Sequence, residues 1–413
     1  NIKKESAIPL PHKCRSILAE IIMKKFCAYI TIIFVMVFVS HILAESTLAG
    51  ITKSPYLCNA TLTSMTISWE TSDAGNSVVE YAENSKFVAS GGVYDQRSED
   101  QANTKRHNIV LNSLTLSTIY HYRVSSGADK SQDATFHTAV QRAEPFTLVA
   151  YGDTRTNANI HLSVVEKIIE NKPDLIINSG DLVENGDVLS QWDIFFNTIK
   201  DLAKSVPYYP TLGNHEGNSQ NYYDFFNLPA GGGGKDNEEW YSFDYGNAHF
   251  ISLNSNNRYA ADQQTWLEKD LASAAGKAPW IFVFFHNPPY SSSSHGSEFA
   301  TMPKWIEAFE KYGVDMVFNG HDHVYERSKS NGIWYVIAGG GGAPLYPVNQ
   351  TPNPKQVYAE SVYHFCKLRI SGSSLVFEMI RANGTIGDSF DMTEPTSVTS
   401  AEKIPITWGK IKL

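Results

Sequence analysis

The sequence predicts an α/β fold with a largely parallel set of strands, preceded by a small all-β sandwich. Three observations carry this. Residues 50–140 hold strand text only, and from Pro145 short apolar strands alternate with helical stretches. Five of those later strands end in Asp, Asn or His.

From Met23 the chain reads MKKFCAYITIIFVMVFVSHILAE, with two lysines, an apolar run from Phe26 to Val39 and a small residue at Ala44. That order predicts a secretory signal peptide cleaved after Ala44 or Ala49, with residues 1–22 as sequence upstream of it. The run is short for a membrane span of about 20 residues, so no stable span is expected after cleavage. The location expected is periplasmic or extracellular.

Residues 1–44 carry six Lys and Arg and two Asp and Glu, so the net charge moves from −9 to −13 without them. An acidic chain with no basic run disfavours nucleic acid as a partner. Cys14 and Cys27 fall in this leader, leaving Cys58 and Cys366 as buried thiols or one bond, too few for a disulfide scaffold.

In residues 50–140 the segments TSMTISWET, NSVVEYAE, RHNIVLNSL and TIYHYRVSS alternate apolar and polar residues between Ser, Gly, Asn and Asp turns. This is the text of a small β-sandwich. Trp69, Tyr120 and Tyr122 are expected in its core rather than on a ligand platform.

Residues 145–395 are expected as the second domain, with residues 396–413 a tail. Strands FTLVAYGD, DLIINSGD and YYPTLGNH are separated by helices near 160–171 and 188–204. A hairpin through WYSFDYGNAHFISLN, a helix near 261–275, WIFVFFH, a helix near 302–312, MVFNGH and GIWYVIAGG follow. The last strands, CKLRISG and SLVFEMIRANG, are expected to be antiparallel, and the glycine run at 231–234 a flexible loop.

The strand ends are Asp153 in YGDTR, Asp181 in SGDLV, Asn214 and His215 in LGNHE, His286 in FFHNPP, and His321 with His323 in NGHDH. Sites in open α/β sheets form outside the carboxyl ends of strands. Carboxylate and amide oxygens with imidazole suit Mn, Fe or Zn rather than a thiolate-seeking metal. A carboxylate shared by two ions would hold them about 3.5–4 Å apart. One His after a strand is usually a structural residue. The whole series in this order is specific.

The series GDxx, GDLV, GNHE, FFHNPP and GHDHVYER resembles the calcineurin-like metallophosphoesterases. With PYL and SMTISWET upstream, it is most similar to their purple acid phosphatase branch, over about residues 50–392. The resemblance implies an α/β (α+β) core of two facing β-sheets flanked by helices, after a fibronectin type III-like sandwich. It implies two metal ions: one on Asp153 and His323, the other on Asn214, His286 and His321, with Asp181 bridging them. His215 and His295 would face the substrate phosphate. The activity implied is hydrolysis of phosphate monoesters by direct attack of a metal-bound hydroxide, with no enzyme-linked intermediate.

Two positions depart from the branch. Glu184 stands where purple enzymes carry a metal-binding tyrosine, and Arg155 where other metallophosphoesterases carry a histidine. The first metal therefore lacks a protein ligand. Water, Glu184 or His161 completes it, with His161 favoured as the start of a helix on the same edge. Arg155 would clamp a phosphate oxygen or form a structural ion pair. Phosphodiester or nucleotide hydrolysis on the same metals, and a non-catalytic extracellular binding protein with a degenerate site, are the alternatives. Substrate choice between esters falls to loops 155–160, 216–240, 287–300 and 340–360.

Overall fold

The computed structural model describes residues 50–393. The expected signal segment and the tail lie outside the described residues. Among these, no helix is long and apolar enough to cross a membrane.

The N-terminal region is all strand save one short helix, α1 (Asn84–Ala89). Its strands are β1 (Ile51–Cys58), β2 (Met65–Glu83), β3 (Gln96–Leu111), β4 (Ile119–Ser126), β5 (Asp129–Lys130) and β6 (Ala134–His137). Hydrogen bonds link all six through the long β2, and residues from both halves of β2 share one core. The first half of β2 pairs with β1 and the second half with β4, and the register slips between Glu70 and Ser77. Trp69, Tyr120 and Tyr122 are buried in one cluster with Leu57, Ile67, Val124 and Phe136, so they are core. Trp69 stacks on His107 at 4.8 Å.

The core holds two mixed sheets. The first runs in the order β19-β18-β17-β7-β8-β9, and the second β10-β11-β12-β13-β15-β14-β16. In the first sheet β7 (Phe146–Tyr151), β8 (Leu175–Asn178) and β9 (Tyr208–Pro210) are parallel. β17 (His364–Ser371), β18 (Ser374–Arg381) and β19 (Ile386–Thr393) add antiparallel strands beside β7. In the second sheet β10 (Tyr241–Tyr245) and β11 (Ala248–Ser252) are the expected hairpin. β11, β12 (Trp280–Phe284), β13 (Met316–Asn319) and β15 (Ile333–Ala338) are parallel. β14 (Tyr325–Ser330) and the unexpected β16 (Gln356–Glu360) are antiparallel to their neighbours.

Period-two patterning decides what each face meets. On β12, Trp280, Phe282 and Phe284 join a core cluster that also holds Leu148, Ile177 and Phe377 of the other sheet. Ile281 and Val283 turn the opposite way, toward Leu267, Leu271, Trp305 and Phe309. Those four lie on helices α5 (Ala261–Ala274) and α6 (Pro303–Tyr312). α6 starts with Pro303, whose missing N–H costs nothing there, and stops at Gly313 in the left-handed conformation.

On the first sheet lie α2 (Ala158–Glu170) and α3 (Leu189–Ala203), and a short α4 (Gln220–Phe225) follows β9. The Asn157 side chain caps α2, which buries His161, Val164, Val165 and Ile168, one helical face. The glycine run at 231–234, expected as a flexible loop, is closed by a bridge between Gly233 and Trp240. Cys58 on β1 and Cys366 on β17 are buried free thiols, which decides between the two readings of them.

The N-terminal sheet is pinned to the core by buried polar contacts. The Tyr56 hydroxyl donates to the Phe225 carbonyl at 2.7 Å, and that of Tyr122 to the Lys204 carbonyl at 2.7 Å. Buried Lys53 pairs with Glu70 of its own sheet and with Asp193 of α3 at 2.6 Å.

His249 on β11 bonds Asp244 through Nδ1 at 2.7 Å and Asp270 of α5 through Nε2 at 2.8 Å. Burial works against its charge, but the two carboxylates outweigh it and raise its pKa to about 9. The ion pair therefore contributes fully below the unfolded value of ~6.5 and is lost as pH rises through 9. Between pH 6.5 and 9.5 the unfolding free energy in urea should fall by on the order of 1–2 kcal/mol more than in His249→Gln. Equal slopes in the two proteins would show that the pair contributes nothing.

Candidate metal centre

Each strand that ends in a metal-ligand residue type delivers it to one edge. Asp153 follows β7 and Asp181 follows β8. Asn214 follows β9, His286 follows β12, and His321 and His323 follow β13. Asp153, Asp181 and His321 all take the left-handed backbone region, at φ 55°, 56° and 67°. Non-glycine residues rarely sit there, and such strain gathers at functional sites. Glycines packed against the two aspartates leave room. A Cβ at Gly213 would lie 2.1 Å from Asp181 Oδ1, and one at Gly320 2.4 Å from Asp153 Oδ2.

The six residues converge. Asn214 Oδ1 lies 3.0 Å from both His286 Nε2 and His321 Nδ1, and these two ring nitrogens are 3.3 Å apart. Asp181 Oδ1 is 3.3 Å from His286 Nε2. Asp153, Asp181 and His323 form a second, buried group whose ligand atoms all lie within 4.8 Å of one another. His323 Nε2 is 3.5 Å from Asp153 Oδ1. Asp181 belongs to both groups.

The tautomers are fixed from behind. His286 Nδ1–H donates to the Ser179 carbonyl at 2.9 Å, and His323 Nδ1–H to that of Pro344 at 2.7 Å. With Nδ1 committed, each ring turns Nε2 toward carboxylate or amide oxygens. Acceptors do not gather this way without positive charge among them, so a proton or a metal ion must sit there. Backing a ligand histidine on a backbone carbonyl is the arrangement metal sites use. Oxygen and imidazole donors with fixed tautomers fit a pair of divalent or trivalent cations.

Electrostatics agrees. Burial raises the Asp153 carboxyl well above its usual range, although His286 pulls it back. Burial also opposes the charge on Asp181, but His286 and His215 outweigh it and hold its pKa below the usual value. Burial lowers His286, yet Asp181 and Asp153 bring it up to about 9. Burial and the neighbouring His286 push His321 down.

His215 and His295 flank the centre. The His215 N–H donates to Asp181 Oδ1 at 3.1 Å, and its ring Nδ1–H to the Glu184 carbonyl at 2.7 Å. This leaves His215 Nε2 toward the site, 3.8 Å from Asp181 Oδ2. The His295 ring lies 4.1 Å from that of His321, tilted by 33°. Its Nδ1 and backbone N–H both reach Asp322 Oδ1, at 2.9 and 3.0 Å. Asp322 and Glu326, both buried, tie down the serine loop around it through Ser291 and Ser292.

The structure does not bring His161 to the metal donors, which corrects the preference for it as a ligand. Its Nε2 faces the Tyr151 hydroxyl at 3.3 Å and its ring stacks on Phe195, because the first turn of α2 is packed against the core. Its burial lowers its pKa to about 3. Glu184 is half-exposed, its Oε2 accepting from Arg155 at 2.7 Å and Thr156 at 2.6 Å, so its carboxylate is spent on neighbours rather than on the donor group. The Arg155 guanidinium also reaches Asp181 Oδ2 and His323 Nε2, both at 3.4 Å. A cavity of about 550 Å³ opens beside these residues, lined by Arg155, His161, Glu184, His323, Phe195 and Tyr346.

Three contributors escaped the sequence reading. Buried Glu216 accepts backbone N–H groups from Asp181 at 2.9 Å, Leu182 at 2.8 Å and Gly213 at 2.7 Å. Burial and the charge on Asp181 push its pKa up to about 7. Asp322 orients His295, and Tyr346 stacks on His323 at 4.1 Å. Glu216 and Asp322 sit inside GNHE and GHDH, so their motifs pointed at them while their acidity suggested nothing beyond more ligands.

Comparison with known proteins places the chain. The family described as calcineurin-like phosphoesterase matches residues 146–325. The purple acid phosphatase N-terminal domain matches residues 55–138, and the iron/zinc purple acid phosphatase-like protein C family matches 332–389. Purple acid phosphatase 15 of Arabidopsis thaliana is 30% identical over 284 residues, 57% of this chain and 53% of that protein. Probable inactive purple acid phosphatase 1 of the same plant is 28% identical over 338 residues, 70% of this chain and 54% of that one. The chain thus spans about half the length of these relatives. A purple acid phosphatase from yellow lupin (Lupinus luteus) seeds superposes with a TM-score of 0.71 at 21% identity, over 83% of this chain and 74% of that one, and so shares the fold.

Glu216 ties the β8 and β9 turns together, so Glu216→Ala leaves several buried N–H groups without an acceptor. The unfolding free energy in urea should drop by about 3 kcal/mol or more. A loss under ~1 kcal/mol would mean the turns hold themselves.

Proposed function

We propose, because the chain belongs to the calcineurin-like phosphoesterases and to their purple acid phosphatase branch, that it is a secreted binuclear-metal phosphoesterase hydrolysing phosphate monoesters. The observation that carries this is Asp181. Its Oδ1 faces His286 and its Oδ2 faces Arg155, beside His323, so one buried carboxylate serves both groups. Asp153, Asp181 and His323 would hold one ion, and Asp181, Asn214, His286 and His321 the other. A fibronectin type III-like role for the N-terminal sheet, as a fixed support, belongs to the same reading.

The metal pair, when bound, would supply Lewis acidity and a nucleophile at mild pH. The chain's own residues do the rest. His215 is held by the Glu184 carbonyl with Nε2 directed at the site, where it protonates the leaving oxygen or binds the phosphate. His295, oriented by Asp322, binds a phosphoryl oxygen through its remaining nitrogen. No Ser or Cys is needed as nucleophile, so no phosphorylated side chain forms.

A non-catalytic binding protein is the second reading, favoured by the first position, where Glu184 replaces tyrosine and turns to Arg155. Assay decides between them. The protein should hydrolyse p-nitrophenyl phosphate faster than its bis ester, and lose that activity to a chelator. A bis-ester preference would make it a phosphodiesterase, and no turnover with metal bound would favour the binding protein.

Asp181→Ala should lower kcat by 10³-fold or more and reduce metal content below one ion per chain, since both groups lose a ligand. Near wild-type turnover would refute the bridge. With iron bound, the protein should show no tyrosinate band in the visible, because Glu184 occupies the tyrosine position.

A further inference from the structure

The two metal positions differ in what already balances their charge. Around Asn214, His286 and His321 the acceptors face one another, and among the described residues no Lys or Arg is bonded to those three. Around Asp153, Asp181 and His323 a side-chain cation is present. Arg155 Nε lies 3.4 Å from Asp181 Oδ2, and one terminal nitrogen 3.4 Å from His323 Nε2. The other terminal nitrogen bonds Glu184 at 2.7 Å. The Arg155 side chain is 11% exposed.

A guanidinium stays charged at every working pH. The oxygen and the nitrogen it touches are the ones a first-position metal would require. An ion entering there must displace Arg155 or accept a like charge in a poorly solvated place, whereas at Asn214, His286 and His321 no bonded Lys or Arg has to move, among the described residues. Glu184 and Thr156, at the more open end, give the displaced guanidinium a partner to retreat to.

We infer that Arg155 is a built-in counter-cation of the first metal position, so that the two positions load in steps, the second tightly and the first weakly. This rests on the binuclear reading above and adds to it the order of loading and the residue that sets it. Arg155 acts as a positioning residue here, through the carboxylate and imidazole that it occupies.

The test is titration of chelator-stripped protein with Zn²⁺, and separately Mn²⁺, by calorimetry, with metal content measured after dialysis. Wild type should bind two ions in steps separated by about 100-fold in Kd. Arg155→Gln should narrow that gap by about tenfold or more, while Arg155→Lys, which keeps the charge, leaves it wide. Asp153→Ala should lose only the weak step, assigning it to the first position. Two steps of equal affinity in wild type, or an unchanged gap in Arg155→Gln, would overturn the inference and leave the binuclear centre standing. Loss of the tight step too in Arg155→Gln would make Arg155 a structural strut and also overturn it. Absence of metal from every protein would instead sink the binuclear reading beneath it.

Discussion

Acceptors aimed at one another from four strand ends require a proton or a metal ion between them. Asn214 Oδ1, His286 Nε2, His321 Nδ1 and Asp181 Oδ1 meet within 3.0–3.3 Å contacts, and the His286 ring is held from behind by the Ser179 carbonyl. In water these groups would turn apart. The fold prevents that by delivering them on adjacent strands whose turns are too tightly packed to relax. Gly213 and Gly320 have no space for a Cβ, and Asp153, Asp181 and His321 keep a backbone conformation that costs energy. The two sheets and their aromatic core keep the strand ends in register.

Much of this was legible in the sequence because its signals are local. Apolar runs of strand length and helices with one buried face stand where periodicity put them, with helix ends shifted by one or two residues. The strand-end residues could be named because the series recurs in order after strand upon strand, where any one of them alone would read as structural. The N-terminal region was legible as an all-β unit, but not in its strand pairing. The exchange of partners along β2 depends on the slip between Glu70 and Ser77, which no alternation pattern encodes.

The supporting residues were hidden for a different reason. Glu216 and Asp322 are acids inside the motifs GNHE and GHDH, yet neither faces the cluster. One gathers backbone N–H groups and the other orients a histidine. Sequence neighbours of ligands point to the opposite side of a tight turn, and only coordinates show which side that is. His161 failed in the mirror-image way. Its place at a helix start on the right edge was correct, but the face of α2 that it occupies is the packed one. Tyr151 and Phe195 claim its ring.

The departures at 155 and 184 form one unit rather than two separate losses. Glu184 brings a negative charge where the branch has a phenol, and Arg155, bonded to it at 2.7 Å, brings the compensating positive one. A glutamate alone would add repulsion to Asp153 and Asp181. An arginine alone would hold Asp181 with nothing to draw it away. Together they keep the local charge balanced while leaving the guanidinium two sets of partners, one deep at Asp181 and His323 and one shallow at Glu184 and Thr156. The same guanidinium is thereby within reach of both sets of partners without either carboxylate being left unpaired.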